Sequence, residues 1–301
     1  MNMRKQVLTR VFAETVPLFL AMLVGGSLLA QPANSRQRHP RHDPGSPFVP
    51  PALVDAEAVD AEGPSNGGPA IPSGTILPVR LNRAISSAKS RPGQVISGRI
   101  MQDVPLPRGV RIRAGTKVIG HIVERIPAGT GAPASISLEF DKLVSSQKTT
   151  FITTNLRAIA GFMRIMEAQI PPIGPGESDV YRWLTTVQVG GDVVYGEGGP
   201  VTTGENPDQI VGRQVNGGVL GQVRAKEGTN CRGAIDGNDS PQALWVFSSD
   251  ACGAYGLEKI SIAHAGRTDP MGVIVLASDS GNFKIAGGAG MLLRVNANSR
   301  N

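Results

Sequence analysis

Short apolar segments separated by Gly and Pro dominate the chain from residue 71 onward. In residues 135–140, Ile136, Leu138 and Phe140 alternate with polar residues, which predicts a strand with one buried and one solvated face. Strands of this kind indicate an antiparallel sheet or a small barrel. The candidate strands of this first region, rich in Val, Ile and Thr, are residues 75–81, 94–104, 110–113, 116–126 and 135–144.

The C-terminal part repeats this pattern with more glycine. Its candidate strands are residues 184–189, 193–195, 219–225, 244–248, 260–264, 273–277, 283–286 and 291–295. Short strands with frequent turns, and without helical crossovers, favour a sandwich or barrel over a parallel α/β fold. The predicted fold class is mainly β, with two antiparallel β-sandwich or barrel-like regions at residues 71–152 and 175–301.

One amphipathic helix is predicted between the two regions, over residues 155–170 of a connecting segment at 153–172. Apolar residues recur there at helical spacing, and Pro171 stops the pattern. They are Leu156, Ile159, Ala160, Met163, Met166 and Ile170. We expect this face to pack on a sheet; the alternative is a methionine-rich groove for a partner.

The first 70 residues are predicted to direct export and then to act as a spacer. Arg4, Lys5 and Arg10 precede an apolar run at 16–30, as in a signal peptide covering residues 1–30. Cleavage after Ala30 and retention as a membrane anchor both remain open. Residues 31–70 are rich in Pro, Gly and charge, which predicts a disordered linker. The expected location is periplasmic or extracellular.

The two cysteines, Cys231 and Cys252, are predicted to pair in an oxidising compartment. A reactive thiol would need a basic neighbourhood, for which Arg232 is the one candidate. A zinc site would need further ligands at metal-binding spacing, and neither a CxxC motif nor a His pair supplies them. We therefore expect a structural disulfide and neither a metal nor a cofactor.

Charge and aromatic content favour neither nucleic acid nor any other specific partner. The 301 residues carry 30 basic and 24 acidic side chains, a formal net charge of +6, and only 4% are aromatic. Single-strand binders need aromatic stacking platforms in a basic groove, so no nucleic-acid partner is expected. A basic block at residues 36–42 is either solvated linker or a contact to anionic headgroups.

A Gly-Thr pair opens two predicted strands, at Gly74-Thr75 and Gly115-Thr116, and Pro92-Gly93 marks a turn between them. This succession resembles the periplasmic β-barrel domain of the TrbI-like subunit of type IV secretion and conjugation machines, over roughly a quarter of the chain. The resemblance implies a periplasmic barrel. The regions at 183–195 and 252–256 are similar to uncharacterised exported bacterial proteins.

Catalytic motifs give no convincing site. Residues 86–89 and 145–148 match S-x-x-K, but neither lies in a helical pattern. His121 and His264 are candidate general bases, although a strand histidine is more often structural. Residues 236–239 offer oxygens as a calcium loop does, but Phe247 stands where the bidentate acid belongs. No catalytic residue is assigned.

Three functions therefore compete. The first is a noncatalytic, exported cell-envelope protein with a structural or partner-binding role. The second is a surface module for polysaccharide, and the third is an unrecognised hydrolase. Sugar binding would use exposed aromatics as stacking surfaces, whereas the structural role would bury them. The candidate stacking residues are Tyr181, Trp183, Trp245 and Tyr255.

Overall fold

The computed structural model describes residues 71–129, 133–146, 148–168, 183–196, 200–203, 206, 208–224, 231, 238, 240–263 and 271–296. The predicted signal peptide and linker, at residues 1–70, lie outside these ranges. Within them the chain is mainly β, as its pattern predicts, with one short α-helix. No helix found there combines the length and the apolar character needed to cross a membrane.

The described ranges contain twenty strands and the helix α1. In chain order they are β1 (Ile76–Leu81), β2 (Ile85–Ser86), β3 (Val95–Ile100), β4 (Val104–Pro105), β5 (Arg111–Ile112), β6 (Lys117–Ile126), β7 (Ala134–Val144), β8 (Thr149–Phe151), β9 (Thr154–Ala160), α1 (Phe162–Glu167), β10 (Trp183–Gln188), β11 (Gly191–Gly196), β12 (Pro200–Thr203), β13 (Ile210–Val215), β14 (Gly218–Gly221), β15 (Gln242–Ala243), β16 (Gly253–Tyr255), β17 (Ser261–Ile262), β18 (Ile274–Ser278), β19 (Lys284–Ile285) and β20 (Gly290–Val295).

The larger sheet has ten strands and curls into a nearly closed barrel. Nine strands follow the order β16-β9-β20-β1-β3-β6-β7-β18-β17, and β8 pairs with β7 beside this path. Neighbours are antiparallel except β16 and β9. The end strands β16 and β17 contact each other, which brings the two edges of the sheet together.

Alternation of side chains fills the barrel, as the sequence pattern predicts. On β7, Ile136, Leu138 and Phe140 are at most 1% exposed, whereas Ser135 and Ser137 on the opposite face are half-buried. Because successive side chains of a strand point to opposite faces, the apolar set points into the barrel core.

A second, six-stranded antiparallel sheet, in the order β10-β11-β12-β13-β14-β15, packs on the outside of the barrel. Ile76 of β1, Ala158 of β9 and Leu292 of β20 share an apolar cluster with Val201 of the second sheet. The neighbouring Leu293 belongs to the barrel core instead. The strands β1, β9 and β20 are thus covered on both faces, and every residue of β9 and β20 is buried.

Strands from both predicted regions share the barrel sheet. β20, late in the chain, lies between β1 and β9, and β18 lies beside β7. The second sheet takes all its strands from between Trp183 and Ala243. The chain therefore builds most of the barrel, then the second sheet, and returns to complete the barrel.

The helix predicted over residues 155–170 is wrong in its first half, because Thr154–Ala160 form β9 and α1 spans only Phe162–Glu167. Leu156 and Ile159 lie in the barrel core, and Ala158 faces the second sheet. A strand buried on both faces carries apolar residues at consecutive positions, and this run also fits a helical period.

The methionines of α1 do not cover a sheet, contrary to expectation. Met163 and Met166 are 64% and 62% exposed, and Ile165 is the buried residue of the helix. A helix of six residues makes fewer than two turns, so few of its side chains can point toward the core and the others face solvent.

The turns marked by glycine in the sequence are confirmed. Gly74, Gly93 and Gly115 have φ angles of 82°, 76° and 86°. Each is the third residue of a turn closed by a backbone hydrogen bond of 3.0–3.2 Å between the first and fourth residues. A positive φ at the third position is the mark of a type II turn, which glycine adopts without steric cost.

Candidate functional site

The two cysteines lie at disulfide distance, as predicted. The Cα atoms of Cys231 and Cys252 are 5.9 Å apart, and no described cysteine is free. Cys231 is buried beside β9, with its Sγ 3.8 Å from the carbonyl oxygen of Arg157. A bond at this position joins Cys231 to the segment that precedes β16. A disulfide fits an oxidising compartment.

Tyr255 holds the backbone at the disulfide. Its hydroxyl accepts a hydrogen bond of 2.8 Å from the Cys252 N–H and donates one of 2.9 Å to the Cys252 carbonyl. Burial raises the pKa of the Tyr255 phenol above its ordinary value of 10.0, and the nearby charge of Asp250 raises it further. The bond to Cys252 and the charge of Arg157 act in the opposite direction. The phenol therefore stays protonated and attached to this loop.

The aromatic residues predicted for sugar stacking are not presented as one exposed set. Trp245 is 6% exposed and packs against Phe247, with ring centroids 6.4 Å apart. Its ring therefore offers no free face to a sugar. Tyr255 is half-buried and its hydroxyl is engaged. Trp183 lies on β10, and Tyr181 falls outside the described residues.

His121 lies on the half-exposed outer face of β6. Its Nε2 is 3.9 Å from Glu139 Oε2, and its Nδ1 is 3.9 Å from Asp141 Oδ2. These distances exceed hydrogen-bonding range, so no carboxylate orients the ring as in a general-base pair. His264 lies outside the described residues. In the described ranges, no group of three or more His, Cys, Asp and Glu is placed to hold a metal ion.

The two S-x-x-K matches form turns. Ser145 Oγ accepts a hydrogen bond of 3.1 Å from the backbone N–H of Lys148 and donates one of 3.1 Å to its carbonyl. Ser86 Oγ accepts a bond of 3.3 Å from the Ala88 N–H. Residues 86–90 form a single helical turn, closed by bonds from the Lys89 and Ser90 N–H groups to the Ser86 carbonyl, but in the described ranges neither serine hydroxyl bonds to the ammonium group of its lysine. Of the calcium-like residues 236–239, only Asn238 is described.

The structure places a groove where a hairpin next to the barrel meets a turn of the second sheet. One wall is the β4–β5 hairpin, at residues 104–112, and the other is the β13–β14 turn, at 215–218. We call this cavity of about 570 Å³ the hairpin groove. Its apolar lining comes from Met101, Leu106, Val110, Val215 and Leu220, and its polar lining from Gln102, Asp103, Arg111 and Asn216.

Gln102 joins the two walls from beneath. It is 1% exposed, and its Nε2 donates a hydrogen bond of 2.9 Å to the Val219 carbonyl of β14. Its Oε1 accepts a bond of 2.7 Å from the backbone N–H of Trp245. Trp245 has a φ of 53°, an uncommon backbone conformation for a bulky residue. The amide therefore fixes the relative positions of the barrel and the second sheet below the groove.

Gly218 is required for this close approach. A Cβ at this position would overlap Gln102 Oε1 and lie 2.5 Å from the Cα of Trp245. Real Cβ atoms do not come so close to backbone atoms, so any side chain here would displace the turn. The glycine-rich turn is thus a condition for the buried amide bridge, and with it for the shape of the groove.

The charged residues of the groove lining form one ion pair, and the segment that carries this pair is predominantly basic. Arg111 forms an ion pair of 3.3 Å with Asp103, both side chains being about half exposed. The other oxygen of Asp103 accepts a bond of 2.8 Å from the Ala114 N–H, which fixes the carboxylate to the hairpin. The segment 101–114 also carries Arg108 and Arg113, both exposed, against Asp103 as its single acid.

Sequence reasoning missed the hairpin groove. Its residues come from two distant parts of the chain, and Gln102 has no motif around it that distinguishes it from a surface glutamine. The paired glycines at 217–218 were the one local signal of a tight backbone approach. Comparisons with known proteins give no guide to the site, since no family model, curated protein or solved structure matches the chain.

Proposed function

We propose that this is an exported, noncatalytic protein of the cell envelope, and that it binds a partner protein in the hairpin groove. The groove takes apolar side chains from a partner segment that also carries acidic residues. The observation that carries this proposal is an apolar groove beside the basic segment 101–114, between two walls that are fixed to each other by a buried glutamine.

The size and lining of the groove support binding. A volume of about 570 Å³ lies within the range of ligand pockets, which are mainly apolar with a few fixed polar groups. Val110 is 39% exposed at the hairpin, whereas Leu220 at the floor is 9% exposed. A partly exposed apolar residue above a buried apolar floor favours the insertion of an aliphatic or aromatic anchor residue from a partner.

The charges of the segment that forms the hairpin wall indicate which partner segment fits. Three arginines and one aspartate give the segment 101–114 a formal charge of +2. Opposite charges on two surfaces raise the rate of association and select against wrong partners. An acidic segment with apolar anchors is therefore favoured over a basic one. The disulfide between Cys231 and Cys252 supports the exported location.

Two fluorescent peptides with the same apolar residues test the proposal, one with flanking Glu and the other with flanking Lys. We expect the acidic peptide to bind the full chain about tenfold or more tightly, with an affinity that falls as salt is added. Val110→Asp should abolish this preference. Val123→Asp is the matched control, because Val123 is 40% exposed on β6, away from the groove.

Equal binding of the two peptides, or equal loss of binding in both variants, would refute the groove as the partner site. Export is measured independently, by cell fractionation combined with alkylation of thiols before and after reduction. An exported protein appears in the envelope or extracellular fraction with both cysteines protected until reduction. Free thiols in a cytosolic fraction would contradict that part of the proposal.

A further inference from the structure

A second cavity lies beside the two-stranded sheet formed by β2 and β19. Its volume is about 440 Å³, and it shares no lining residue with the hairpin groove. We call it the Ser86 pocket, and its polar residues are Ser86, Lys89, Ser90, Gln94, Asn282 and Lys284. Two distant segments meet here because Ser86 pairs directly with Lys284 in the sheet.

The neutral polar side chains of the pocket all use their acceptor oxygens inside the protein. Ser90 Oγ accepts a hydrogen bond of 3.0 Å from the Ser86 N–H, and Ser86 Oγ accepts one of 3.3 Å from Ala88. Gln94 Oε1 accepts one of 3.0 Å from the Arg91 N–H.

Asn282 follows the same rule. Its Oδ1 accepts bonds of 3.0 Å from the Ala128 N–H and 3.2 Å from Ser87 Oγ. Backbone N–H groups only donate, so these bonds fix which end of each amide is oxygen. No hydrogen bond among the described residues uses the amide nitrogens of Gln94 and Asn282 or the hydroxyl hydrogens of Ser86 and Ser90, so these donors can bind a ligand.

Two ammonium groups add positive charge to these donors. Lys89 and Lys284 line the pocket, and neither forms an ion pair with a carboxylate of the described residues. Arg125 lies behind the turn, where its guanidinium donates a bond of 2.8 Å to the Ala88 carbonyl and thereby fixes the loop. A cavity lined by donors and cations is complementary to an oxyanion, which accepts charge-assisted hydrogen bonds.

We propose that the Ser86 pocket binds a phosphate group. Lys89 and Lys284 supply the charge, and the amides of Gln94 and Asn282 supply directed donors. The volume of the pocket exceeds that of one phosphate, so the group belongs to a larger molecule, either a soluble phosphate ester or a lipid headgroup. This site is independent of the partner-binding role proposed above, since it involves neither the hairpin groove nor its rim.

Titration of the full chain with inorganic phosphate at low salt, followed by calorimetry, tests the site. We expect saturable binding to one site, weakened about tenfold or more in Lys284→Gln and in Asn282→Asp. Asn282→Asp keeps the oxygen that accepts from Ala128 and Ser87, so its thermal unfolding should match that of the wild type. Lys117→Gln removes the same charge from an exposed position of β6 and should leave binding unchanged.

Vesicles of phosphatidylcholine, with and without phosphatidylglycerol, distinguish the two sources of the phosphate. Cosedimentation with the anionic vesicles, lost in Lys284→Gln and in the presence of free phosphate, identifies a headgroup site. Binding of inorganic phosphate without vesicle binding identifies a soluble ligand. The proposal is overturned if the wild type binds neither probe, if Asn282→Asp binds as well as the wild type, or if Lys117→Gln weakens binding equally.

Discussion

Replacing Gln102 with methionine removes two buried hydrogen bonds while it keeps the length of the side chain. The two losses are unequal. The Val219 carbonyl keeps a second hydrogen bond of 2.9 Å from the Leu244 N–H. Losing the bond from Gln102 therefore costs as much as one ordinary hydrogen bond, about 1 kcal/mol of stability. Among the described residues the Trp245 N–H bonds only to Gln102, and an orphaned buried donor costs about 1–3 kcal/mol. The expected destabilisation is therefore roughly 2–4 kcal/mol.

Urea unfolding followed by circular dichroism measures this change as a lower midpoint at an unchanged slope. Gln209→Met is the control, because Gln209 is exposed and such substitutions stay within about 0.5 kcal/mol of the wild type. A Gln102→Met protein within about 0.5 kcal/mol of the wild type would refute the reasoning, because the buried amide would then contribute no net stability.

Gln102→Glu separates the acceptor from the donor. The carboxylate still accepts from the Trp245 N–H, but only a protonated carboxyl can donate to the Val219 carbonyl. Burial and the facing carbonyl should raise the pKa of this carboxyl in the folded state above the unfolded value of about 4.3. The variant should then approach wild-type stability at a pH below the unfolded pKa, and lose stability as the pH rises through the folded-state pKa. A loss of stability independent of pH would contradict this explanation.

Two further predictions concern the disulfide and its neighbour. Replacing both Cys231 and Cys252 with alanine should lower the free energy of unfolding by about 3 kcal/mol, because the bond closes a loop of 21-residue separation. Reduction of the wild type should give the same urea midpoint as this double variant. A midpoint that neither treatment changes would contradict a stabilising bond. Tyr255→Phe should cost about 1 kcal/mol at neutral pH. Because the phenol pKa is raised in the folded state, wild-type stability should fall as the pH rises above 10.0, and this loss should be smaller in Tyr255→Phe. Equal losses of stability in the two proteins above pH 10.0 would refute this reasoning.

The elements that local chemistry determines were predictable from the sequence. The turns at Gly74, Gly93 and Gly115 have positive φ. A Gly-Thr pair before a strand was the signal for the first and the third, and the Pro92-Gly93 pair for the second. The alternation along residues 135–140 identified the inner face of β7. The disulfide was expected because only two cysteines exist in the chain, and the structure brings them together. Each of these signals lies within a few residues or concerns one residue type.

The features that depend on packing between distant segments could not be predicted. β9 resembles a helix in sequence because the second sheet covers the face that would otherwise be polar. Trp245 and Tyr255 were candidate sugar contacts. The burial of Trp245 and the bonds of Tyr255 to Cys252 depend on contacts that a single sequence does not reveal. The donor character of the Ser86 pocket depends on which oxygens already accept hydrogen bonds, and this depends on how distant segments meet in the fold.

The position of β20 makes this strand a condition for assembling the barrel sheet. Residues Gly290–Val295 bridge β1 and β9, which have no ladder of their own with each other. A chain interrupted before this point would leave two long, unsatisfied edges at the very place where the outer layer must dock. Such edges recruit strands from other molecules, so nascent or truncated products that lack β20 should depend on chaperones and be exposed to proteases.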